Sequence, residues 1–219
     1  MATFTASANS NSTIGYAQYG STTWNRGTTN GACQGAYQGT SASRSRVGVM
    51  VFSGAGAALK GKIITQISLK ITCSAAGSGS SSKRLSFRRA NYQSLQTGVT
   101  GSAQVGAALG TLTGKFYNNT VTHTLNASTN AVLFEAMKDY FAEGNSALVL
   151  YNGETSSSSS YSSNYARVTT CVLTVTYMDA TVWYRDGITW RQCTIWYRNG
   201  GSWVQVVPYY RNGGTWIRV

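Results

Sequence analysis

The chain has 219 residues, enough for one domain with a full core and a small appendage. Only 11 % of it is charged, and a single proline stands against 24 glycines, with tyrosine, serine and threonine abundant; this composition reads as an all-β protein. The net charge of +12 reflects missing acids, six against 18 bases, and no stretch approaches a membrane span.

Residues 3–45 predict short strands joined by long loops, with apolar points at Phe4, Ile14, Tyr16 and Trp24. Arg46-Val-Gly-Val-Met-Val-Phe52 reads as a strand, Gly54 to Gly61 as a connecting loop, and Ile63 to Cys73 as a long strand with clean alternation. Ala75 to Ser82 is a turn-rich segment. Lys83 to Tyr92 reads as a strand with Leu85 and Phe87 on one face and charges on the other. One strand centres on Val121-Thr-His-Thr-Leu125.

A helix follows over 131–141, capped by Ser128 or Thr129 and stopped by Gly144, with Val132, Leu133, Ala136, Met137, Tyr140 and Phe141 as its buried stripe. Ala147 to Tyr151 is a short buried strand, Thr155 to Asn164 a serine-rich loop, and Arg167 to Tyr177 a final long strand. None of Cys33, Cys73, Cys171 and Cys193 has metal-type spacing. Cys73 and Cys171 continue the apolar registers of their strands, so they are expected to be buried free thiols, or a bridge if the two strands are neighbours.

Alternation stops at 178–180, which places a boundary between a sandwich at 1–179 and a repeat region at 180–219. Three units recur at a spacing of thirteen: Trp183-Tyr-Arg-Asp-Gly-Ile-Thr-Trp190, Trp196-Tyr-Arg-Asn-Gly-Gly-Ser-Trp203 and Tyr209-Tyr-Arg-Asn-Gly-Gly-Thr-Trp216. Asp-Gly and Asn-Gly accept the positive φ of tight turns, so each unit predicts a β-hairpin. Trp183, Trp196 and Tyr209 are equivalent, as are Arg185, Arg198 and Arg211, and Trp190, Trp203 and Trp216. These nine are the candidate binding or assembly residues: a hairpin this short must dock or oligomerise, and its Arg can lie across from or beside the Trp of its own unit.

Segments of the first 177 residues, in order, resemble bacterial and phage β-sandwich modules of the DNRLRE type and related carbohydrate-binding jelly rolls. The matching segments are Arg46 to Phe52, the small-residue loop Gly54 to Lys60, and Lys62-Ile-Ile-Thr-Gln-Ile-Ser-Leu-Lys-Ile71. Val121 to Leu125 with the helix, Gly144-Asn-Ser-Ala-Leu-Val-Leu150, Tyr165-Ala-Arg-Val168 and Leu173-Thr-Val-Thr-Tyr177 complete the set. The literal Asp-Asn-Arg-Leu-Arg-Glu string is absent, and the acids that hold calcium in such modules are scarce, so no cofactor or metal is expected. The tail resembles aromatic-Arg-Asn-Gly-Gly-Thr-Trp repeats at the ends of phage tail and baseplate proteins. The resemblance implies a jelly-roll sandwich with one short helix, in a component of a tailed-phage particle.

Catalytic patterns do not emerge. His123 is the single histidine, and no acid or nucleophile is placed with it. Glu135, Asp139 and Glu143 form an ordinary helix stripe, and no phosphate-binding glycine motif occurs. The bases are scattered apart from Lys83, Arg84, Arg88 and Arg89, which argues against a nucleic-acid binder. The excess positive charge still suits an anionic partner, such as a wall polymer, an acidic polysaccharide or an acidic protein. The N-terminal residues carry no signal-peptide pattern, which fits release by host lysis inside a particle. The expectation is a non-enzymatic virion protein of tail, baseplate, fibre or capsid surface. It would be homo-oligomeric with a trimer favoured, contact other virion proteins, and touch an anionic or neutral host glycan. The alternative is a standalone carbohydrate-binding or adhesion module.

Overall fold

The computed structural model describes residues 1–8, 13–18, 24–25, 31–39, 42–74, 82–94, 96, 99–116, 118–154, 162–179, 182–193, 195–206, 209–212 and 215–218. At 13–18, 24–25, 37–39, 42–44, 182–184, 190, 192, 209–212 and 215–218 it describes the backbone only. Most of the turn read at 75–82, and residues 155–161 of the serine-rich loop, lie outside the described residues. So do the side chains of Ile14, Tyr16 and Trp24.

The first strands are β1 (Ala2–Ser7), β2 (Thr13–Gln18), β3 (Trp24–Asn25), β4 (Ala32–Gly39) and β5 (Ala42–Val51). After α1 (Ala55–Leu59) come β6 (Ile63–Cys73), β7 (Lys83–Ala90), α2 (Gly101–Gln104), β8 (Val105–Gly114) and β9 (Asn119–Leu125). Then follow α3 (Ala131–Ala142), β10 (Ala147–Leu150) and β11 (Ala166–Met178). Every pairing among these strands is antiparallel.

One layer is β1 and β6 flanking β11, with β9 outside β6; the other runs β8-β7-β10-β5 and adds β2 and β3. Strand β4 joins the layers, pairing with β11 over 32–34 and with β5 over 35–39. Ile67, Leu69 and Ile71 of β6 and Leu173 and Val175 of β11 share one core with Met50, Leu85, Phe87, Leu148 and Leu150 of the opposite layer. This is the all-β sandwich with a helix read from the sequence. Helix α3 packs against β6, β8 and β9, where the layers' outer strands leave the core open. Strand β10 is buried on both faces, because Ala147 and Val149 join Val47, Val49 and Ala90 in a second, smaller cluster.

Several local expectations are corrected. The loop expected at 54–61 holds a one-turn helix, α1, that buries Ala55 and Leu59; five residues are too few to show a helical period. The helix α2 and the strand β8 are not legible in the sequence. Strand β8 contains three glycines and small residues, and forms because β7 pairs with it.

Helix α3 starts after Asn130, which sits in the left-handed region (φ 53°) and makes no side-chain cap. Neither Ser128 nor Thr129 caps it, because their backbone N–H groups donate to Asn126 Oδ1 at 2.9 and 2.8 Å and fold the preceding turn. Its buried stripe carries Phe134 in place of Val132, which is 83 % exposed. Gly144 (φ 99°) ends the helix as expected, its N–H donating to Phe141 O.

Lys83 was expected on the charged face of its strand. It lies instead on the buried face with Leu85 and Phe87, and its ammonium donates to Ser163 O at 2.7 Å.

Cys73 and Cys171 are buried and unbridged, facing the core as their registers require. Burial pushes both thiols up to about 12, helped by the neighbouring Cys33 and Cys73 respectively. Thiolate is the reactive form, so labelling of the native protein is expected to modify half-buried Cys193 first and to reach Cys33, Cys73 and Cys171 only on unfolding. Peptide mapping that shows Cys73 or Cys171 labelled as fast as Cys193 would contradict the core assignment.

Candidate binding face on the hairpin repeats

Beyond β11 the chain forms three separate two-stranded sheets: β12 (Val182–Asp186) with β13 (Thr189–Cys193), β14 (Trp196–Asn199) with β15 (Ser202–Gln205), and β16 (Tyr209–Asn212) with β17 (Thr215–Arg218). Among the described residues none of these strands pairs with the sandwich. The hairpins are those expected, but the turn sits one residue later than an Asn-Gly loop. Asp186 pairs with Thr189 and Asn199 with Ser202, so both acidic-or-amide residues end a strand. Positive φ falls on Gly187 (62°) and Gly200 (59°) alone, because only glycine takes that region without a Cβ penalty. The loop of the third hairpin, 213–214, lies outside the described residues.

The register brings the predicted residues together. Arg185 stands opposite Trp190, Arg198 opposite Trp203, and Arg211 opposite Trp216. Two residues along, Trp183 stands opposite Gln192, Trp196 opposite Gln205, and Tyr209 opposite Arg218. Successive pairs alternate between the faces of a ribbon, so these two pairs share a face in each unit. One face therefore repeats aromatic, Arg, Trp and Gln, with Arg218 replacing the Gln in the third unit.

The opposite face repeats a tyrosine, at Tyr184, Tyr197 and Tyr210, opposite Arg191, Val204 and Ile217. In the middle hairpin Ile195 and Val206 extend that face, since Val206 N–H donates to Ile195 O at 3.0 Å. Both faces of this hairpin are open: Trp196 is 51 % and Trp203 66 % exposed, while Tyr197 and Val204 are 47 % and 38 %. Arg185 and Arg198 are exposed as well. The side chains of Trp183, Trp190, Tyr209, Arg211 and Trp216 lie outside the described residues, and their placement rests on the backbone register.

Gln192 and Gln205, and the tyrosine at the second position of each unit (Tyr184, Tyr197 and Tyr210), were missed by sequence reasoning. Their signal was present as a residue two positions past each conserved-spacing Trp and as the repeated Tyr after the first aromatic.

Asp186 is the one acid between 180 and 219. It pairs with Arg191 at 3.0 Å, and the register puts both on the tyrosine face. The Trp–Arg face thus carries bases and no acid in any of the three units.

Elsewhere, several charged groups are engaged within the fold. The basic cluster of β7 does not gather on one surface: Arg88 Nε donates to Tyr151 O at 3.2 Å, and Arg89 pairs with Glu143 while lying 4.9 Å over the Tyr140 ring. Glu135 pairs with Lys138 and Asp179 with Lys62. Burial pushes the Glu154 carboxyl up, but hydrogen bonds from Ser162, Asn164 and Asn152 outweigh it and hold its pKa below the usual value. Asn164 supplies two of these donors, its N–H at 3.2 Å and its Nδ2 at 2.6 Å.

His123 turns toward the core, its ring centroid 5.4 Å from that of Phe116. Its Nε2 is buried with no hydrogen-bond partner among the described residues, and burial lowers its pKa below 6.5. The folded state therefore takes up this proton less readily than the unfolded chain. The stability associated with the neutral ring is complete above the unfolded value and falls as pH drops below about 6.5. His123→Leu is expected to remove that acid-side loss. Thermal melts across this range that keep the same pH slope in the variant would assign the slope to other groups.

No family model, curated protein or solved structure matches the chain.

Proposed function

We propose that this protein is a non-enzymatic structural component of a virus particle, with the sandwich as scaffold and the three hairpins as contact elements that build a homo-oligomer, a trimer being favoured. The observation that carries this reading is the set of three separate two-stranded sheets with both faces open in the middle unit. A lone two-stranded ribbon is marginal in water, so three in series need a surface to dock on. A second copy of the same chain supplies one by symmetry. The Tyr197, Val204, Ile195 and Val206 face suits that role, because half-exposed apolar side chains with no charge among them favour burial over solvation. His123 is half-buried with its ring against Phe116, which suits a packing role and supports a non-catalytic reading. The virion assignment rests on the resemblance of the repeats to the ends of phage tail and baseplate proteins, and a standalone glycan-binding module is the second reading, favoured by the exposure of Trp196 and Trp203.

Light scattering of the full chain should give about three times the 23.4 kDa of one copy, and Tyr197→Ser with Val204→Ser should lower it. A monomer at micromolar concentration would remove the assembly role. Immunogold labelling of particles released by lysis tests the location: label on the particle is expected, and label confined to cell debris overturns it.

A further inference from the structure

On the reading of the hairpins as contact elements, we propose that the Trp–Arg face of each hairpin is a subsite for a linear acidic glycan, giving three subsites in series on one chain. In the middle unit two exposed indoles, Trp196 and Trp203, share this face with Arg198 and Gln205. Neighbouring and diagonal positions on one face of a ribbon lie within reach of a single ligand. Each group has a distinct role. The flat indole faces take the C–H face of a sugar ring. The guanidinium takes a carboxylate through two parallel N–H···O bonds. The glutamine amide, both donor and acceptor, takes neighbouring hydroxyls.

Charge selects the occupant. With Asp186 paired to Arg191 on the other face, nothing on this face repels an anion, and the whole chain carries +12. The ratio of rings to cations points to a glycan in preference to a nucleic acid. In the first two units two aromatic residues accompany one Arg, at 183, 190 and 185, and at 196, 203 and 198. A single nucleic-acid strand brings one phosphate with every base it stacks, whereas a glycan with a uronic acid at alternate sugars brings one charge for two rings. Repetition at thirteen residues matches a polymer, which can occupy several equivalent subsites and gain affinity by linkage.

The test uses the full-length protein against oligosaccharides of alternating uronic acid and N-acetylhexosamine (hyaluronan, unsulfated chondroitin and heparosan). Their carboxyl-methylated forms and a single-stranded DNA of equal charge serve as comparisons. Binding of at least one acidic series is expected, weakened by salt and lost on methylation. Trp203→Ala and Arg198→Gln should each weaken it about tenfold, and the triple change of Arg185, Arg198 and Arg211 to Gln should abolish it. Arg198 is exposed, so its substitution leaves the fold intact, and a circular dichroism spectrum checks this. Failure of all three acidic series, equal binding of the methylated forms, or tighter binding of the DNA would each overturn the proposal. Tyr197→Ser with Val204→Ser separates it from the assembly reading: these changes should reduce the oligomer while each remaining copy still binds glycan. An oligomer that forms normally from a protein that binds none of the series leaves the assembly reading standing and removes this one.

Discussion

A chain ending at Asp179 is expected to fold into the sandwich alone and to be monomeric and devoid of glycan binding. Three features of the structure lead there. Strand β11 ends at Met178, and β12 begins at Val182 as part of a different sheet. The ion pair between Lys62 and Asp179, with Lys62 5.8 Å over the Tyr177 ring, closes the end of the sandwich and is retained by the cut. Among the described residues, the buried residues of the main core all lie between Ala32 and Val175. The melting temperature should therefore fall by no more than about 2–4 °C, the change expected from about 1 kcal/mol in a domain of this size. Light scattering should report single copies. If the truncated chain unfolds, the hairpins belong to the sandwich and the boundary at 179/180 is wrong. If it remains oligomeric, the contact surface is on the sandwich and the reading of the repeats fails.

The largest single-residue effect inside the sandwich should come from Tyr140. It is buried at the point where α3, β7 and β10 meet. Its hydroxyl donates to Ala147 O at 2.6 Å and accepts from Ala90 N–H at 3.0 Å and Gln93 Nε2 at 3.2 Å. Its ring lies beneath Arg89 and against Phe141 at 5.8 Å. Tyr140→Phe keeps the ring and strands the partners, so it should cost about 1–3 kcal/mol, the penalty for a buried polar group left unpaired. Tyr140→Ala adds the cavity and should cost about 3–5 kcal/mol, as for other large-to-small changes in cores. Urea unfolding of the two variants separates the parts. Equal costs would mean that the hydroxyl network carries the effect and the surroundings close around the cavity. A Tyr140→Phe variant as stable as the parent would show that water satisfies Ala90 and Ala147 in place of the phenol.

Elements with a sustained local period were legible before any tertiary information. The strand at Ile63–Cys73 was read with its observed bounds, and the helix differs by one residue at its end, because a buried face imposes a period of two or of 3.6 on the residues themselves. The burial of Cys73 and Cys171 followed from the same alternation. In the repeats the sequence leaves each Arg either across from or beside the Trp of its unit; the register decides for Arg185 across from Trp190, Arg198 from Trp203 and Arg211 from Trp216, since a two-residue loop at 186–187 would set Arg185 opposite Ile188 instead.

The tertiary structure alone decided the elements that exist through contact with others. Strand β8 has little strand propensity of its own and is held by β7, and α1 is a single turn held by burial of Leu59. Val132 and Phe134 both fit an apolar helix stripe, and only the position of α3 on the sheets leaves one in solvent and the other in the core. Lys83 and His123 look polar and exposed in sequence, yet long-range packing turns both inward, against Ser163 and Phe116. The same holds for the repeats. Their period and pairing are local properties of thirteen residues, but the separation of an acid-free Trp–Arg face from a tyrosine face required the register, because a one-residue shift in pairing would have exchanged the two faces.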